Sequence, residues 1–340
     1  MKAAVFKGAG QPLAVEDRPI PVPGRGQVLI AVRRCGICGS DLAMTASDSP
    51  VTFAAGCVPG HEYAGEVVAL GKDVAGLHVG DVVSAFPVAG CGACEACRGG
   101  DPYGCSNCTY LMGGFADYAL APADLCVRLP RSLSLSDGAL VEPLACGAQT
   151  ARLGGVGPAS RVLVLGVGPI GLAAIWWAAR AGCRQIVAAA PTRRRAELAR
   201  TMGAHAFLPL NDGFAARLTE TFGGEAPDIV FESAGKPGAI ATALDCVGNR
   251  GTVVSSGMCL CSDSFVPGFA VMKQVRLQFS MAYLARDFRD AVAALDAGHV
   301  EPRAMVSRTV TLDELPETLE ALRAPGEDCK VLVEPDGSKP

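Results

Sequence analysis

Short apolar runs, each cut off by Gly or Pro, mark the first part of the chain. Val28-Leu29-Ile30-Ala31-Val32, Glu66-Val67-Val68-Ala69-Leu70 and Asp81-Val82-Val83-Ser84 are of this kind. Their length and punctuation predict short strands and a β-rich domain of barrel type. The pattern changes at Gly154-Gly155-Val156-Gly157-Pro158. From there strand-like and helix-like stretches alternate: 161–165 a strand, 169–181 a helix, 185–189 a strand, 193–202 a helix, with further strands at 228–231 and 251–255. Such alternation predicts parallel βαβ units covered on both faces. A helical pattern over 286–297 and a late Lys330-Val331-Leu332-Val333 strand suggest a return to the first domain. The expected division is therefore 1–148 with 287–340, and 149–286.

Composition narrows the class. The 340 residues suffice for two well-buried cores. Half the residues are hydrophobic and 19% are charged, which argues against disorder. A net charge of −4 without a basic tract argues against nucleic acid as a partner. The first residues, Met-Lys-Ala-Ala-Val-Phe-Lys, lack the apolar core of a secretory signal. The most apolar stretch, 170–181, contains Arg180 and is too short to span a bilayer. Fifteen cysteines in such a chain fit a reducing compartment where thiolates bind metal, so a cytoplasmic protein is expected.

Cys91, Cys94, Cys97 and Cys105 are spaced C-x2-C-x2-C-x7-C. Four thiols in so short a segment can close a tetrahedral shell around a soft metal, the form of a structural zinc site. Disulfides and an iron–sulfur cluster compete with that reading. The bacterial ferredoxin run has three residues before its last cysteine and proline after it. Here the gap is seven and Ser106 follows, which favours zinc.

Gly166-Val167-Gly168-Pro169-Ile170-Gly171 follows the strand 162–165 and opens a helix. That context makes G-x-G-x-x-G a dinucleotide motif. Gly166 permits the tight turn, Gly168 lets pyrophosphate approach the backbone, and Gly171 allows close helix–strand packing. Pro169 and Ile170 open a helix whose N-terminus attracts phosphate. The second strand should end in an acid that binds the ribose 2′-hydroxyl. Instead Ala190 stands there, followed by Pro191, Thr192, Arg193, Arg194 and Arg195. A carboxylate would repel a 2′-phosphate and arginine would pair with it, so NADP(H) is favoured over NAD(H), with Thr192, Arg193 and Arg195 as candidate contacts. An arginine here can also contact the cofactor of NAD-preferring enzymes.

Two further stretches carry metal-ligand types: Cys35-Gly36-Ile37-Cys38-Gly39-Ser40-Asp41 and Gly60-His61-Glu62-Tyr63-Ala64-Gly65-Glu66. Cysteine, histidine and carboxylate together suit a catalytic zinc with an open position. His78, His205 and His299 sit in no comparable setting.

The combination of I-C-G-S-D at 37–41, G-H-E at 60–62, G-E at 65–66, G-D at 80–81, the cysteine lobe, E-P-L at 142–144 and the glycine motif resembles the zinc-containing medium-chain dehydrogenase/reductases, the superfamily of zinc alcohol, polyol and threonine dehydrogenases. The resemblance covers nearly the whole chain. It implies an α/β protein with a β-rich GroES-like catalytic domain and a Rossmann domain with a doubly wound parallel sheet. It implies two zinc ions per chain, one of them held by Cys91, Cys94, Cys97 and Cys105. Cys38 and His61 resemble catalytic zinc ligands, Cys38 being preferred to Cys35. Glu62 resembles the carboxylate beside the zinc that can enter its shell. Ser40 matches the hydroxyl that takes the substrate proton, and Asp41 the acid that orients the zinc-bound histidine. The remaining ligand is open between Cys146, where alcohol dehydrogenases place a cysteine, and Glu142, where polyol-type members place a glutamate. The notable lean is to Cys146 as ligand and Glu142 as adjacent carboxylate.

The implied reaction is reversible oxidation of an alcohol, with hydride passing to the nicotinamide. Ala43 stands where polyol members show a relay histidine. Gly257 and Met258, and Ser280 and Met281 after them, resemble cofactor-facing loops near the nicotinamide. Polyol enzymes place an arginine and an aromatic there, so a less polar secondary alcohol or ketone is expected. The rival expectations are an NAD-dependent polyol or amino-alcohol dehydrogenase and a non-catalytic zinc and nucleotide-binding interaction protein. By resemblance the chain forms a homodimer or homotetramer, with no membrane or nucleic-acid partner.

Overall fold

The structure, a computed structural model, describes residues 1–336; the last four residues of the expected returning segment lie outside them. It divides into two compact units, Met1–Glu142 with Tyr283 onward, and Pro143–Ala282. The expected boundaries were 148/149 and 286/287. The first division falls inside a continuous helix, Leu135–Gly154, which has Pro143 in its interior. A proline there removes one helical hydrogen bond and reads in sequence as a break.

The first unit is built on a mostly antiparallel sheet whose central strand is Gln27–Gly36. One side of this strand pairs with Glu62–Leu70 along its length. The other side pairs with Tyr118–Pro122 at its start and with Lys330–Glu334 at its end. The late strand therefore does return to the first unit. The register sets Gly36 opposite both Glu62 and Leu332. Inward-facing Val28, Ile30, Val32, Tyr63, Val331 and Val333 share one core, so the pairing cannot slip by one residue without turning apolar side chains outward.

The second unit carries a six-stranded parallel sheet in the order Ala206–Pro209, Gln185–Ala190, Arg161–Leu165, Ile229–Glu232, Thr252–Ser255, Arg276–Phe279. Counted along the chain this is 3-2-1-4-5-6, the doubly wound order whose switch point lies between the strands 161–165 and 229–232. Leu163, Leu165, Val187, Val230 and Val253 form its buried core, which is why these strands read as continuous apolar runs. The helix expected over 193–202 is shorter, Ala196–Thr201, because 193–195 form the turn before it. No helix among the described residues is long and apolar enough to cross a membrane.

Candidate active site

Two groups of ligand-type side chains converge among the described residues, and both lie in the first unit. In the lobe, the Sγ atoms of Cys91, Cys94, Cys97 and Cys105 all lie within 4.8 Å of one another. The Cys91–Cys97 separation is 4.0 Å. A tetrahedral zinc–thiolate shell with bonds of about 2.3 Å sets its sulfurs about 3.8 Å apart, so the four fit one metal. Backbone N–H groups point at the sulfurs: Cys94 to Cys91 and Cys91 to Cys105, each 3.4 Å, and Cys97 to Cys94, 3.5 Å. The N–H groups of Ala93 and Cys94 bring the Cys91 thiol down to about 6. Gly90 is needed here, since a Cβ would stand 2.4 Å from the Cys97 sulfur. No disulfide joins any cysteine among the described residues.

The second group, with His61 and Glu62 buried and Cys38 half-buried, is drawn from distant stretches. Cys38 ends the turn after the central strand and precedes the short helix Gly39–Thr45. Its N–H donates to Asp41 Oδ2 at 2.9 Å. Glu62 starts the facing strand and His61 immediately precedes it. The ligand atoms of Cys38, His61 and Glu62 lie within 4.8 Å of one another, and Cys35 is not in the set. Instead Cys35 is fully buried, and that burial raises its thiol pKa well above the ordinary value. His61 Nδ1 faces Asp41 Oδ1 at 3.7 Å, and both buried atoms lack a hydrogen-bond partner. Ser40 is half-buried in the first turn of the same short helix.

Lys330 was not foreseen. It is 1% exposed, and its Nζ donates to Glu62 Oε1 at 2.7 Å, Glu62 Oε2 at 2.6 Å and the Ile37 carbonyl at 3.0 Å. Burial lowers the lysine pKa and the Glu62 charge outweighs it, so the net shift is upward. A lysine is almost never buried unless paired, but a lysine opening an apolar strand does not by itself name its partner, which follows only from the strand pairing. Gly36 makes room for the pair, because a Cβ there would lie 2.0 Å from Glu62 Oε2.

The charges explain what the pocket wants. Glu142, also buried, is pushed up to about 7 by burial, with His61 opposing and Glu62 reinforcing that rise. Burial pulls His61 down, yet Cys38, Asp41 and Glu142 outweigh it and raise its pKa well above the ordinary histidine value. Asp41 is raised by burial, partly offset by His61. A thiol and three carboxyl groups thus gather around one lysine and one histidine. This donor set, with an orphaned Asp41 oxygen behind the histidine, fits a divalent metal. Cys146 belongs to the second unit, one helical turn beyond Glu142 on the helix Leu135–Gly154, and its carbonyl accepts from Thr150 Oγ1 at 2.9 Å.

In the second unit Gly166 has φ +96°, and Gly171 has no room for a Cβ, which would meet the Gly166 carbonyl at 2.0 Å. A Cβ at Gly168 would meet nothing, so the space before the helix Pro169–Arg180 stays open. Ile170 sits in the first turn of that helix. Thr192, Arg193 and Arg194 are exposed beyond the strand Gln185–Ala190, while Arg195 turns back and donates to the Val167 carbonyl at 3.2 Å. Gly257 donates its N–H to the Glu232 carbonyl at 3.0 Å, and Ser280 donates to the Ser255 carbonyl at 2.8 Å. Met258 and Met281 are about half exposed. All these positions lie at the carboxyl ends of the parallel strands, where dinucleotides bind in such sheets.

The family model for the alcohol dehydrogenase GroES-like domain matches residues 24–131, and that for the zinc-binding dehydrogenase matches residues 169–297. D-xylulose reductase A of Aspergillus niger is 30% identical over 331 residues, covering 94% of this chain and 92% of the relative. The chain belongs to the zinc-containing medium-chain dehydrogenase/reductases. Solved structures of the same architecture include an alcohol dehydrogenase of Escherichia coli CFT073 with NADH, at 25% identity and TM-score 0.90, covering 98% of this chain and 99% of that one. A zinc-binding dehydrogenase of Sinorhizobium meliloti 1021 bound to NADP matches at 29% identity and TM-score 0.89, with the same coverage. As a member of this superfamily the chain is a zinc- and NAD(P)-dependent oxidoreductase acting on small-molecule alcohols. That membership sets aside the non-catalytic interaction protein.

Proposed function

We propose that this dehydrogenase interconverts a secondary alcohol and its ketone with NADP(H), using one catalytic and one structural zinc. The observation that carries the reading is the half-buried Cys38 beside the buried His61, backed by Asp41, in a chain whose other unit is a dinucleotide-type sheet. When bound, zinc supplies Lewis acidity at the substrate oxygen and the dinucleotide supplies the hydride acceptor.

Cys38 Sγ and His61 would hold the metal, with His61 Nε2 as the ligand atom because Nδ1 faces Asp41. Asp41, fixed by the Cys38 N–H, orients the imidazole and keeps its tautomer. Ser40 takes the substrate proton. Ala43 cannot pass it on as a histidine would, so the proton leaves through water. Glu142 and Cys146 are the candidates for the remaining ligand. The influence of Glu142 on His61 supports its place next to the metal, and zinc analysis of Glu142→Ala and Cys146→Ala separates them by which variant loses an ion. Cys91, Cys94, Cys97 and Cys105 would hold the structural zinc. Gly166, Gly168, Pro169, Ile170 and Gly171 would take the pyrophosphate, Gly257, Met258, Ser280 and Met281 the nicotinamide end.

The preference for NADP rests on the acid-free end of the strand Gln185–Ala190 and on the exposed Thr192, Arg193 and Arg194. Arg195 supports the loop through Val167 and contributes less to the 2′-phosphate. Steady-state kinetics with both cofactors on an alcohol and ketone panel test the reading. A preference for NAD of about tenfold or more, worth about 1.4 kcal/mol, would overturn it. A second reading, an NAD-dependent polyol dehydrogenase, is favoured by Glu142 and by the likeness to D-xylulose reductase A. Activity confined to polyols would decide for it.

A homo-oligomer is part of the proposal. The strand Arg276–Phe279 is the outer edge of its sheet, and Phe269, Val271, Met272, Phe279 and Met281 are more than half exposed around it. An unpaired strand edge is self-complementary for a second copy related by a two-fold axis. Light scattering that gives a monomer would remove this element. A cytoplasmic location is proposed with it, from the cysteine usage.

A further inference from the structure

Glu232 ends the strand Ile229–Glu232, next to the switch point of the parallel sheet, and is 1% exposed. The register places it between Leu165, the residue before the glycine motif, and Ser255, the residue before the 256–258 loop. Its carboxyl group bonds the turn that follows it and the Ser255 side chain. Oε1 accepts the N–H groups of Ala234 and Gly235, each at 2.8 Å, and Oε2 accepts the Ser255 hydroxyl at 2.7 Å. The Glu232 carbonyl accepts the N–H groups of Ser256 at 2.8 Å and Gly257 at 3.0 Å. Ser233 Oγ and Ser256 Oγ meet at 2.9 Å.

The loops so held are packed without slack. A Cβ on Gly166 would lie 2.8 Å from the Ala234 nitrogen. A Cβ on Gly257 would lie 2.2 Å from the Gly235 nitrogen and 2.9 Å from Glu232 Oε1. Gly235, at φ +58°, faces Met258 just as closely, with 2.9 Å from its Cβ position to the Met258 nitrogen. The 233–235 turn thus bonds the buried carboxylate itself, the 256–258 loop bonds the carbonyl of the same residue, and the glycine-motif turn packs on the 233–235 turn. A buried carboxylate with three donors converging on it fixes the 233–235 turn and the end of the strand Thr252–Ser255, from which the 256–258 loop leaves.

We propose that Glu232 is a positioning residue for the nicotinamide half of the dinucleotide, setting the 233–235 and 256–258 loops that would border it. This rests on the reading of Gly257 and Met258 as cofactor-facing. The residue makes no contact with the reacting atoms; it acts by fixing backbone.

Glu232→Ala removes all three accepted side-chain bonds. Measured by calorimetry on the zinc-loaded protein, it is expected to weaken NADP+ binding about tenfold, since small misplacements of a binding frame are costly. Adenosine 2′,5′-bisphosphate, which lacks the nicotinamide half, should bind within about twofold of wild type, and this contrast separates positioning from general loosening. Glu232→Gln should restore NADP+ binding: its amide oxygen can accept both N–H groups, and its NH2 can donate to the Ser255 oxygen. If Glu232→Ala does not fold, Ser255→Ala removes one bond of the three and should weaken NADP+ about threefold with the fragment unaffected. Unchanged NADP+ affinity in folded Glu232→Ala, an equal loss for the fragment, or a Glu232→Gln variant as weak as the alanine would each overturn the proposal. Wild-type protein that binds neither NADP+ nor NAD+ would overturn the dinucleotide reading itself, and the proposal with it.

Discussion

The two metal-ligand groups of the first unit differ in how the chain makes them. The lobe takes four like ligands from one local segment, 91–105, and holds them with its own backbone N–H groups. The Cys38 centre takes unlike groups from residues 38–41, 61–62 and 330, which the register of the sheet brings together, and from Glu142 on the helix Leu135–Gly154. A local loop of four thiolates makes a closed site, suited to bracing. A buried meeting of cysteine, histidine and carboxylates leaves unequal demands on each donor, which is what chemistry at a metal needs. The lobe is also tied to the body of its unit: Tyr103 packs edge-on against Tyr283 at 5.6 Å, and the Ala285 N–H donates to the Gly100 carbonyl at 2.8 Å.

The comparison can be broken at several points. His61→Ala takes a ligand from the buried centre alone; turnover should fall about ten-thousandfold with the lobe still metallated, as read by steady-state assay and zinc analysis. Loss of less than about tenfold would detach chemistry from this centre. Next in size is the buried ion pair. Lys330→Met leaves the Glu62 carboxylate without its cation and should cost about 3–5 kcal/mol in denaturant unfolding, whereas the double variant with Glu62→Gln should recover most of that. Such a loss has no counterpart in the lobe, where no charge is buried without the metal.

Gly36→Ala is milder. The new Cβ has no space beside Glu62 Oε2, so the carboxylate must shift against Lys330 at a cost of about 1–3 kcal/mol, again by denaturant unfolding. Stability within experimental error of wild type would mean that the strand yields easily there. The smallest effect concerns the helix that carries Glu142. Burial opposes the charge on Asp137, but Arg303 and Ser134 outweigh it through hydrogen bonds of 2.7–2.9 Å and hold its pKa below the ordinary carboxylate value. Because the folded value is the lower one, the stabilisation is present above the unfolded pKa of about 3.9 and fades as pH falls through the folded value. Asp137→Asn should therefore cost about 1–2 kcal/mol at neutral pH, with the gap from wild type closing as pH falls through the lowered folded value. A gap that persists in acid would assign the effect to packing instead.

What sequence reading could reach follows the same contrast. The lobe and the glycine motif were legible because their spacing is their geometry. Cys38 and His61 were legible through the flanking G-S-D and G-H-E residues that resemble a family. Lys330 and Gly36 were not, since their roles exist only once Lys330–Glu334 and Glu62–Leu70 flank Gln27–Gly36. Glu232 was hidden for the same reason: it ends an apolar run, and its partners come from the next two turns and the neighbouring strand. The length of the helix Leu135–Gly154 is masked in sequence because Gly138, Pro143 and Gly147 interrupt its propensity. Packing overrides that: Gly147 lies so close to Ala173 that a Cβ would meet its carbonyl carbon at 2.6 Å.

Zinc counting by mass spectrometry, paired with turnover, on wild type, Cys38→Ser and Cys94→Ser tests the division of labour most directly. The account predicts about two ions in wild type and about one in each variant, with turnover abolished in Cys38→Ser and kept within about threefold in the folded fraction of Cys94→Ser. Full turnover in Cys38→Ser, or activity lost equally in both variants at matched folding, would contradict it.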